Sequence, residues 1–447
     1  MRILVVGGGA REHALLWALH RDAPEATLFC LPGNAGTAQL ATNLPGSATD
    51  IEAVTAAAKE RAVDLVVVGP EAPLAAGLAD RLRAEQIPVF GPSRAAARIE
   101  SSKRFAKALM LEHGIPTAHA EVFTDRQRAL QYLDRHPEPV VVKASGLAAG
   151  KGVVVCETRS QAKDVVTAML AGSLGSAGSE LLIEEYLEGE ELSVLAVTDG
   201  EHFAMLPPAQ DHKRIGDGDT GPNTGGMGAY CPVSIATPEL LRRVASEVIE
   251  PAIRALAAIG APYTGVLYAG LMIRPDGTPA VVEFNCRFGD PEAQAILAAT
   301  PPGLLPVLRM VAEGGWMPTG TRFGAASRAA VTTVLAAEGY PNAPRTGARI
   351  SIPPQVEASG DVLVFHAGTR REPDGSLVVA GGRVLAVTAV AGDIAVAAAR
   401  SREAAEAITF EGRQFRRDIG YRELGRSRHL GIGDREQRTS GQESGDR

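Results

Sequence analysis

The amino-acid sequence predicts an α/β protein that begins with a doubly wound parallel sheet, continues into a central domain and ends in a small mixed α+β domain. Three observations predict this architecture. Strand-like and helix-like segments alternate over the first hundred residues, a glycine-rich hairpin follows, and strand-forming residues predominate from about Ala326. The length of 447 residues allows two to four domains with ample core.

Composition disfavours several classes of protein. The net charge of −7 argues against broad electrostatic binding to nucleic acid or anionic lipid. No apolar run approaches the length that crosses a bilayer, and the N-terminus enters a strand without a signal-peptide pattern. Cys30, Cys156, Cys231 and Cys286 are far apart and form no CxxC motif. We therefore expect a cytoplasmic protein with no zinc site, disulfide framework, nucleic-acid partner or membrane partner.

The first unit shows the alternation typical of a parallel sheet. The predicted strands are Ile3–Val6, Thr27–Leu31, Leu65–Val68 and Pro88–Phe90, and the predicted helices are Ala10–Arg21 and Ile51–Arg61. Because such sheets bind ligands beyond the carboxyl ends of their strands, the turns after the strands are candidate binding positions.

Two of these turns carry candidate contacts. The turn Gly7–Gly9 resembles a dinucleotide fingerprint, but Glu12 occupies the third glycine position and no acidic residue closes the second strand, so NAD binding is not expected. The turn either holds a substrate phosphate at the helix N-terminus or is simply a tight connection. Glu71 follows another strand and is either a contact for an amine or hydroxyl, or a solvated carboxylate.

The segment Pro139–Cys156 is the most suggestive of ligand binding. The valine-rich runs Val140–Val142 and Val153–Val155 predict two paired strands, joined by a loop of small residues between Lys143 and Lys151. Small residues expose backbone N–H groups to phosphate oxygens, and the lysines add positive charge. This pattern predicts a phosphate clamp, with an ordinary glycine-rich hairpin as the alternative.

Two further segments allow a functional and a structural interpretation. The acidic run 184–191 is either a solvated turn or a hinge whose backbone binds adenine and whose carboxylate binds ribose hydroxyls. The glycine-rich segment Gln210–Tyr230 lacks periodicity, and a loop this long within a compact domain is usually functional.

A candidate metal site closes the predicted strand Ala280–Asn285. Glu283 and Asn285 are two positions apart and therefore face the same side of that strand. Their two oxygen ligands, together with waters and phosphates, suit Mg²⁺. Arg287 falls on the same face and could hold a phosphate or an acyl phosphate, whereas a network of salt bridges on an edge strand is the alternative.

The C-terminal third is predicted to be mostly strand. The predicted strands are Ala329–Ala336, Arg349–Ile352, Val362–Thr369, Ser376–Val379 and Arg383–Ala391, and a helix is predicted at Ile394–Ile408. Residues 423–447 are polar with almost no apolar side chains, which predicts a disordered tail.

Taken together, these motifs resemble the glycinamide ribonucleotide synthetase family of ATP-grasp enzymes. The resemblance covers roughly residues 1 to 422, and its motifs follow the family's order. They are VVGGGAREHALLWAL, PGNAGT, VVGPEAPLAAG, VVKASGLAAGKGVVV, IEEYLEGEE, AQDHKRIGDGDTGPNTGGMGAY, YTGVLYAGLMI, VEFNCRFGDPE, VFHAGT and GGRVLAVTA. Each motif is weak alone, and their conjunction is highly specific.

The resemblance implies a division of the chain and an activity. It implies an N-terminal substrate-binding domain at 1–103, an ATP-grasp domain at 104–325 with a mobile lid at about 118–190, and a C-terminal domain at 326–422. The implied reaction joins glycine to 5-phosphoribosylamine through a glycyl phosphate, with ATP giving ADP and phosphate, in purine biosynthesis. The alternative is another ATP-grasp carboxylate–amine ligase or carboxylase of purine metabolism. A monomer is expected.

The resemblance also assigns residues to the nucleotide. The implied ATP-binding residues are Lys103, Lys143, Glu184, Tyr186, Leu187 and Glu191. The lysines would contact phosphates, Glu184 and the backbone of the two residues that follow Glu185 would meet adenine, and Glu191 would bind the ribose.

The remaining assignments concern the metal and the other substrates. Glu283 and Asn285 match the family's positions for Mg²⁺ or Mn²⁺. The implied substrate contacts are Gly8, Gly9 and Glu71 at the phosphoribosyl end and Arg287 and Asp290 at the glycine end, with Lys143, Arg287 and Asp290 as the catalytic set. Many ATP-grasp relatives place a carboxylate on the preceding strand, whereas Tyr268–Ile273 offers none, so the ligands of a second metal ion are not implied.

Overall fold

The computed structural model describes residues 1–148, 152–318, 323 and 325–426. The N-terminal unit consists of β1 (Arg2–Gly7), α1 (Ala10–Asp22), β2 (Thr27–Pro32), β3 (Thr42–Asn43), α2 (Ile51–Glu60), β4 (Leu65–Val68), α3 (Glu71–Ala76), α4 (Leu78–Ala84), β5 (Val89–Phe90) and α5 (Arg98–Ser101). Its strands form a parallel sheet in the order β3-β2-β1-β4-β5, which confirms the doubly wound arrangement. Val6 pairs with both Leu31 and Val68, so the turns after β1 and β4 lie at the same sheet edge.

The next unit contains the glycine-rich hairpin. Its elements are α6 (Lys103–Glu112), β6 (Ala120–Phe123), α7 (Arg126–Leu133), β7 (Val140–Ala144), β8 (Val153–Cys156), α8 (Arg159–Ala168) and β9 (Leu181–Glu185). The strands form an antiparallel sheet in the order β6-β9-β7-β8, and the predicted pairing of the two valine runs is confirmed. The tip of its loop, residues 149–151 with Lys151, lies outside the described residues.

The central unit is built on a second antiparallel sheet. Its elements are β10 (Glu190–Thr198), β11 (Phe203–Met205), β12 (Gln210–Asp211), β13 (Arg214–Gly216), β14 (Thr220–Asn223), β15 (Gly228–Cys231), α9 (Pro238–Val244), α10 (Glu250–Ala258), β16 (Gly265–Ile273), β17 (Pro279–Asn285), α11 (Glu292–Ala299) and α12 (Leu304–Ala312). The order β11-β10-β16-β17 places the strand that carries Glu283 at one edge. Within the described ranges no single helix is long and apolar enough to cross a membrane, and α11 with α12 passes that test only as a pair bent by 117°.

The C-terminal unit shares its sheet with the central one. Its elements are β18 (Ala329–Ala336), α13 (Pro354–Glu357), β19 (Val362–His366), β20 (Thr369–Arg371), β21 (Leu377–Val379), β22 (Arg383–Ala391) and α14 (Ile394–Ala407). The sheet order is β12-β15-β18-β22-β19, and Gly228–Cys231 pair with Ala330–Thr333 across the boundary predicted at 325/326. The strand predicted at Arg349–Ile352 is wrong. That segment makes only single bridges at Arg349 and Ser351, and it runs into two prolines that cannot donate to a ladder.

The prediction that the chain is disordered from residue 423 onward is wrong for residues 423–426. Residues 421–426 form a helical turn, and the buried Glu423 accepts a hydrogen bond from the backbone N–H of Ser234 at 3.1 Å. Arg426 forms an ion pair with Glu190 at 2.6 Å. These polar residues find partners on the central unit, which composition alone cannot indicate. Residues 427–447 of the predicted tail lie outside the described residues.

Two buried histidines join the first unit to the last. The backbone N–H of His366 donates to His13 Nδ1 at 2.9 Å, and Asn34 Nδ2 donates to the carbonyl of His366 at 2.7 Å. Burial, and secondarily the neighbouring His366, lowers the pKa of His13 to about 3. Burial, and secondarily Arg371, lowers the pKa of His366 to about 4. Because Nδ1 of His13 accepts a hydrogen bond, its ring must be neutral for this junction to form.

This junction of two histidines makes the free energy of unfolding depend on pH. The unfolded histidines have a pKa of about 6.5, so below that pH the unfolded chain binds more protons than the folded one. The contribution of the two neutral histidines to the free energy of unfolding is therefore complete above about pH 6.5. It is lost as the pH falls toward their pKa values in the folded protein. We expect the melting temperature to fall from about pH 7.5 to about pH 5.5, and His13→Asn, which keeps an acceptor but cannot titrate, to show a smaller fall. Exposed His20→Asn is the control, and an equal fall in all three proteins would contradict the role of His13.

Candidate active site

The units surround a cavity of about 470 Å³. Most of the predicted site residues contribute to its lining, namely Glu71, Lys103, Lys143, Glu184, Glu283, Asn285, Arg287 and Asp290. The lining also includes charged residues that sequence reasoning did not assign to the site, namely Arg11, Glu100, Lys107, Asp211, Lys213, Glu292 and Arg383. The cavity therefore concentrates opposite charges from every part of the fold.

Glu184 lies between two lysines at the base of the hairpin. It is on β9, next to β7, and its carboxylate meets Lys143 Nζ at 2.8 Å and Lys107 Nζ at 3.1 Å. Burial opposes ionisation of Glu184, but the two lysines hold its pKa below the usual range. Lys143 Nζ also donates to the carbonyl of Val282 at 2.9 Å, which joins the hairpin to β17. Lys107 was missed, although its position one helical turn after Lys103 places both on one face of α6.

The opposite charges of Lys103 and Glu283, which both line the cavity, influence each other's pKa. Burial lowers the pKa of Lys103, and Glu283 partly counteracts this. Burial raises the pKa of Glu283, but Lys213, Lys103 and Lys143 together bring it below its usual range. Within the described ranges neither Lys103 nor Glu283 forms an ion pair within 4.0 Å, so both remain available to a ligand.

Asn285 and Arg287 share a buried carboxylate that the sequence did not reveal. Glu100 accepts hydrogen bonds from Asn285 Nδ2 at 3.1 Å and from the backbone N–H of Cys286 at 2.7 Å. Arg287 Nη2 lies 3.2 Å from Glu100, and its Nε lies 3.4 Å from Glu71. Because Asn285 donates through its nitrogen, its amide oxygen is left for another partner. Burial raises the pKa of Glu71, but Arg287 outweighs this and lowers it.

Asp290 is held by the C-terminal unit. Arg383, at the start of β22, lies 2.8 Å from Asp290 Oδ2 through Nη2 and donates to the carbonyl of Gly225 at 2.6 Å. Gln294 donates to Asp290 Oδ1 at 2.8 Å. Tyr340 accepts from the N–H of Gly225 at 3.0 Å. Two residues of the C-terminal unit thus fix Asp290 and the loop before β15, a role that no local motif indicates.

Of the four residues assigned to the nucleoside, Glu184 lines the cavity, whereas Tyr186, Leu187 and Glu191 lie outside its lining. Tyr186 is exposed, and buried Leu187 packs against Ala118 and Ala280. Glu191 forms an ion pair with Lys213 at 2.6 Å, which presents Lys213 to the cavity. The functional interpretation of the glycine-rich segment as a site loop gains support, since Asp211, Lys213 and Thr224 all line the cavity.

The glycines of the first turn also lie outside that lining. The N–H of Gly9 donates to Glu12 Oε2 at 2.6 Å, and a Cβ on Gly8 would come within 2.7 Å of the carbonyl oxygen of Gly33. Glu12, which occupies the third glycine position of the dinucleotide fingerprint, therefore closes this turn through its carboxylate. Arg11 reaches the cavity instead, where it donates to the carbonyl of Phe288 at 3.3 Å.

The carboxylate absent from β16 has a counterpart on α11. Glu292 Oε1 accepts hydrogen bonds from Tyr268 at 2.9 Å and from Ser193 at 3.1 Å, and both donors lie on neighbouring strands. Glu292 is buried at the cavity wall. Helix α11 follows β17, the strand that carries Glu283 and Asn285. Its residue Glu292 therefore brings a carboxylate to the face of β16.

Comparison with known proteins covers nearly the whole chain. Three family models match: the N domain of phosphoribosylglycinamide synthetase at residues 1–100, its ATP-grasp (A) domain at 101–293 and its C domain at 330–422. Phosphoribosylamine–glycine ligase of a Nostoc strain is 51% identical over 426 residues, which cover 94% of this chain and 99% of that protein. The same ligase of Vibrio parahaemolyticus is 47% identical over 436 residues, covering 95% and 99%.

Solved structures agree with this comparison. A crystal structure of phosphoribosylamine–glycine ligase from Thermotoga maritima matches with a TM-score of 0.81 and 34% identity, over 94% of this chain and all of that one. Biotin carboxylase from Campylobacter jejuni matches with a TM-score of 0.72 at 17% identity, over 93% of this chain and 92% of that one, which shows a shared fold alone. The predicted fold class is confirmed. The chain belongs to the phosphoribosylglycinamide synthetase family and consists of its N, ATP-grasp and C domains.

Proposed function

We propose that this chain joins glycine to 5-phosphoribosylamine at the expense of ATP, giving glycinamide ribonucleotide, ADP and phosphate in purine biosynthesis. The supporting observation is the convergence, in a chain of this family, of Lys103, Lys143 and Arg287 on a cavity that also holds Glu283 and Asn285. These cations suit a triphosphate and a second phosphorylated substrate. The two oxygen donors suit a divalent ion beside them.

The chemistry requires activation of a carboxylate. A glycine carboxylate oxygen attacks the γ-phosphorus of ATP, ADP leaves, and an acyl phosphate forms. The amine nitrogen of phosphoribosylamine then attacks the carbonyl carbon and loses a proton, and phosphate departs as the C–O bond breaks. Phosphoryl transfer depends on positioning and on neutralising charge, which Lys143, Lys103 and Arg287 can provide. The hairpin carrying β7 and β8 would exclude water from the acyl phosphate.

The proposed metal ligands fit a hard divalent cation. Glu283 is an ionised carboxylate without an ion-pair partner in the described residues, and the amide oxygen of Asn285 is left available because its nitrogen bonds Glu100. Mg²⁺ or Mn²⁺ held there would supply positive charge to the nucleotide phosphates. Glu71 and Arg11 would face the phosphoribosyl group, and Arg287 the acyl phosphate.

An ADP-release assay with single omissions tests this function. We expect ADP only when glycine, phosphoribosylamine, ATP and Mg²⁺ are all present, with glycinamide ribonucleotide formed in equal amount. Bicarbonate or formate in place of glycine separates this reaction from other ATP-grasp ligases and carboxylases. Release of ADP that depends on bicarbonate, and not on glycine, would contradict the proposal.

We further propose that the enzyme acts as a cytoplasmic monomer on these small molecules. All four cysteines are buried and unpaired, as suits a reducing compartment. Sedimentation of the full chain at assay concentration tests the oligomeric state, and a dimer would contradict it.

A further inference from the structure

Asp211 is a buried carboxylate that the proposed mechanism does not use. It lies on β12, opposite Ala229 of β15, and its side chain is in the cavity lining with only 7% of the residue exposed. The preceding residue, Gln210, points the other way, where its amide donates to the carbonyl of Glu191 at 2.6 Å and its oxygen accepts from Tyr230. The alternation of the strand therefore fixes Asp211 toward the cavity.

Unlike most of the neighbouring carboxylates, Asp211 has no hydrogen-bond or ion-pair partner for its side chain in the described residues. Each of these is satisfied by the protein: Glu71 and Glu100 by Arg287, Glu184 by two lysines, Glu191 by Lys213, Asp290 by Arg383 and Glu292 by two hydroxyl groups. In the part of the chain that the structure describes, the Asp211 side chain accepts no hydrogen bond and has no cation within 4.0 Å. Glu283 is in the same position, and the proposed metal accounts for it.

A buried carboxylate without a partner is costly, so its presence in a cavity points to a cationic ligand. Burial, reinforced by Glu292, Glu191 and Glu283 and opposed by Lys213, raises the pKa of Asp211 to about 8. An approaching positive charge would favour the ionised form of this carboxyl. The substrates of the proposed reaction include one suitable group, since glycine carries an ammonium group that the reaction leaves unchanged.

We propose that Asp211 accepts the ammonium group of glycine and so selects an amino acid over other small carboxylic acids. This inference rests on the proposed function. It places the glycine ammonium group at β12, while its carboxylate faces the γ-phosphate beside Glu283. Asp290, the other acidic residue predicted at the glycine end, is already bound by Arg383 and Gln294 and is a positioning residue in this arrangement.

Asp211→Asn tests the assignment because it keeps the shape of the side chain but cannot ionise when the ammonium group binds. A charge-assisted hydrogen bond to a buried carboxylate corresponds to about 10- to 100-fold in affinity, so we expect the KM for glycine to rise by that factor. The KM for ATP should change less than about threefold. Glu25→Gln, an exposed position, is the control for the loss of one negative charge and should leave both values unchanged.

A substrate analogue makes the test specific. Glycolate replaces the ammonium group of glycine with a hydroxyl, and wild-type enzyme should strongly prefer glycine in ADP release. Asp211→Asn should reduce that preference at least about tenfold, whereas Asp211→Glu, which retains the charge, should keep most of it. A merely structural Asp211 would leave the ratio unchanged, and that result would overturn the inference.

The melting temperature of Asp211→Asn distinguishes a lost contact to glycine from a folding defect. Because Asp211 has no partner in the described residues, Asp211→Asn breaks no interaction of the folded protein, and its melting temperature without substrates should equal or exceed that of wild type. If wild-type protein releases ADP with glycine but Asp211→Asn keeps a normal glycine KM, this inference fails alone. If wild-type protein shows no glycine-dependent release, the proposed function itself fails.

Discussion

Replacing Glu283 with glutamine should lower the rate of ADP release by about 10²- to 10³-fold while leaving the fold intact. Glutamine keeps the shape of the side chain on β17 but cannot neutralise Lys103, Lys143 and Lys213, and it is a weak ligand for a divalent cation. The Mg²⁺ concentration for half-maximal activity should rise at least about tenfold. Initial rates over a Mg²⁺ titration measure both effects.

The control for Glu283→Gln is Glu201→Gln, which removes a charge from an exposed turn and should retain wild-type rates. Circular dichroism and the melting temperature should show that both variants are folded. Substantial turnover by Glu283→Gln with an unchanged Mg²⁺ requirement would remove Glu283 from the proposed metal site.

Replacing Arg287 with methionine should abolish activity and also destabilise the protein. The guanidinium bridges Glu100 and Glu71, so its loss leaves two largely buried carboxylates without their cation. Breaking a buried pair from one side costs about 3–5 kcal/mol, and we expect the free energy of unfolding to fall by about 3 kcal/mol. Urea denaturation measures this fall, and ADP release measures the loss of function.

A second substitution separates the two roles of Arg287. Arg287→Met combined with Glu100→Gln removes the uncompensated charge and should regain much of the stability without regaining activity. Arg274→Met breaks an ion pair between partly exposed side chains, Arg274 and Glu185, and should cost at most about 1 kcal/mol. If the double variant recovered full turnover, Arg287 would have only a structural role.

Local patterns predicted the elements that depend on local forces. The valine runs of β7 and β8 pair as expected because β-branched residues on both sides of a short loop favour a buried hairpin. Ser102, a residue type favoured at helix N-caps, caps α6 because its hydroxyl accepts a hydrogen bond from the N–H of Phe105. The position of Glu283 and Asn285 in one cavity also followed from strand periodicity.

Contacts between distant segments could not be predicted in this way. Glu100 meets Asn285 across 185 residues of chain, and Arg383 reaches Asp290 from the last unit. Neither Glu100 nor Arg383 belongs to a pattern with a chemical signature, and each acquires its role only when the fold brings the segments together. Tyr186 and Leu187 were assigned through resemblance alone, and their role in binding adenine remains a prediction.

The ladder between β15 and β18 restricts how this enzyme can move and how it can be divided. Four consecutive residues of the ATP-grasp domain pair with the C domain, so separating these domains would break backbone hydrogen bonds and expose two sheet edges. Artificial fission of the gene between them should therefore yield fragments that aggregate unless they are produced together. The sheet formed by β6, β7, β8 and β9 has no ladder to any other sheet in the described residues, so we expect it to be the part that rotates as a rigid flap during turnover.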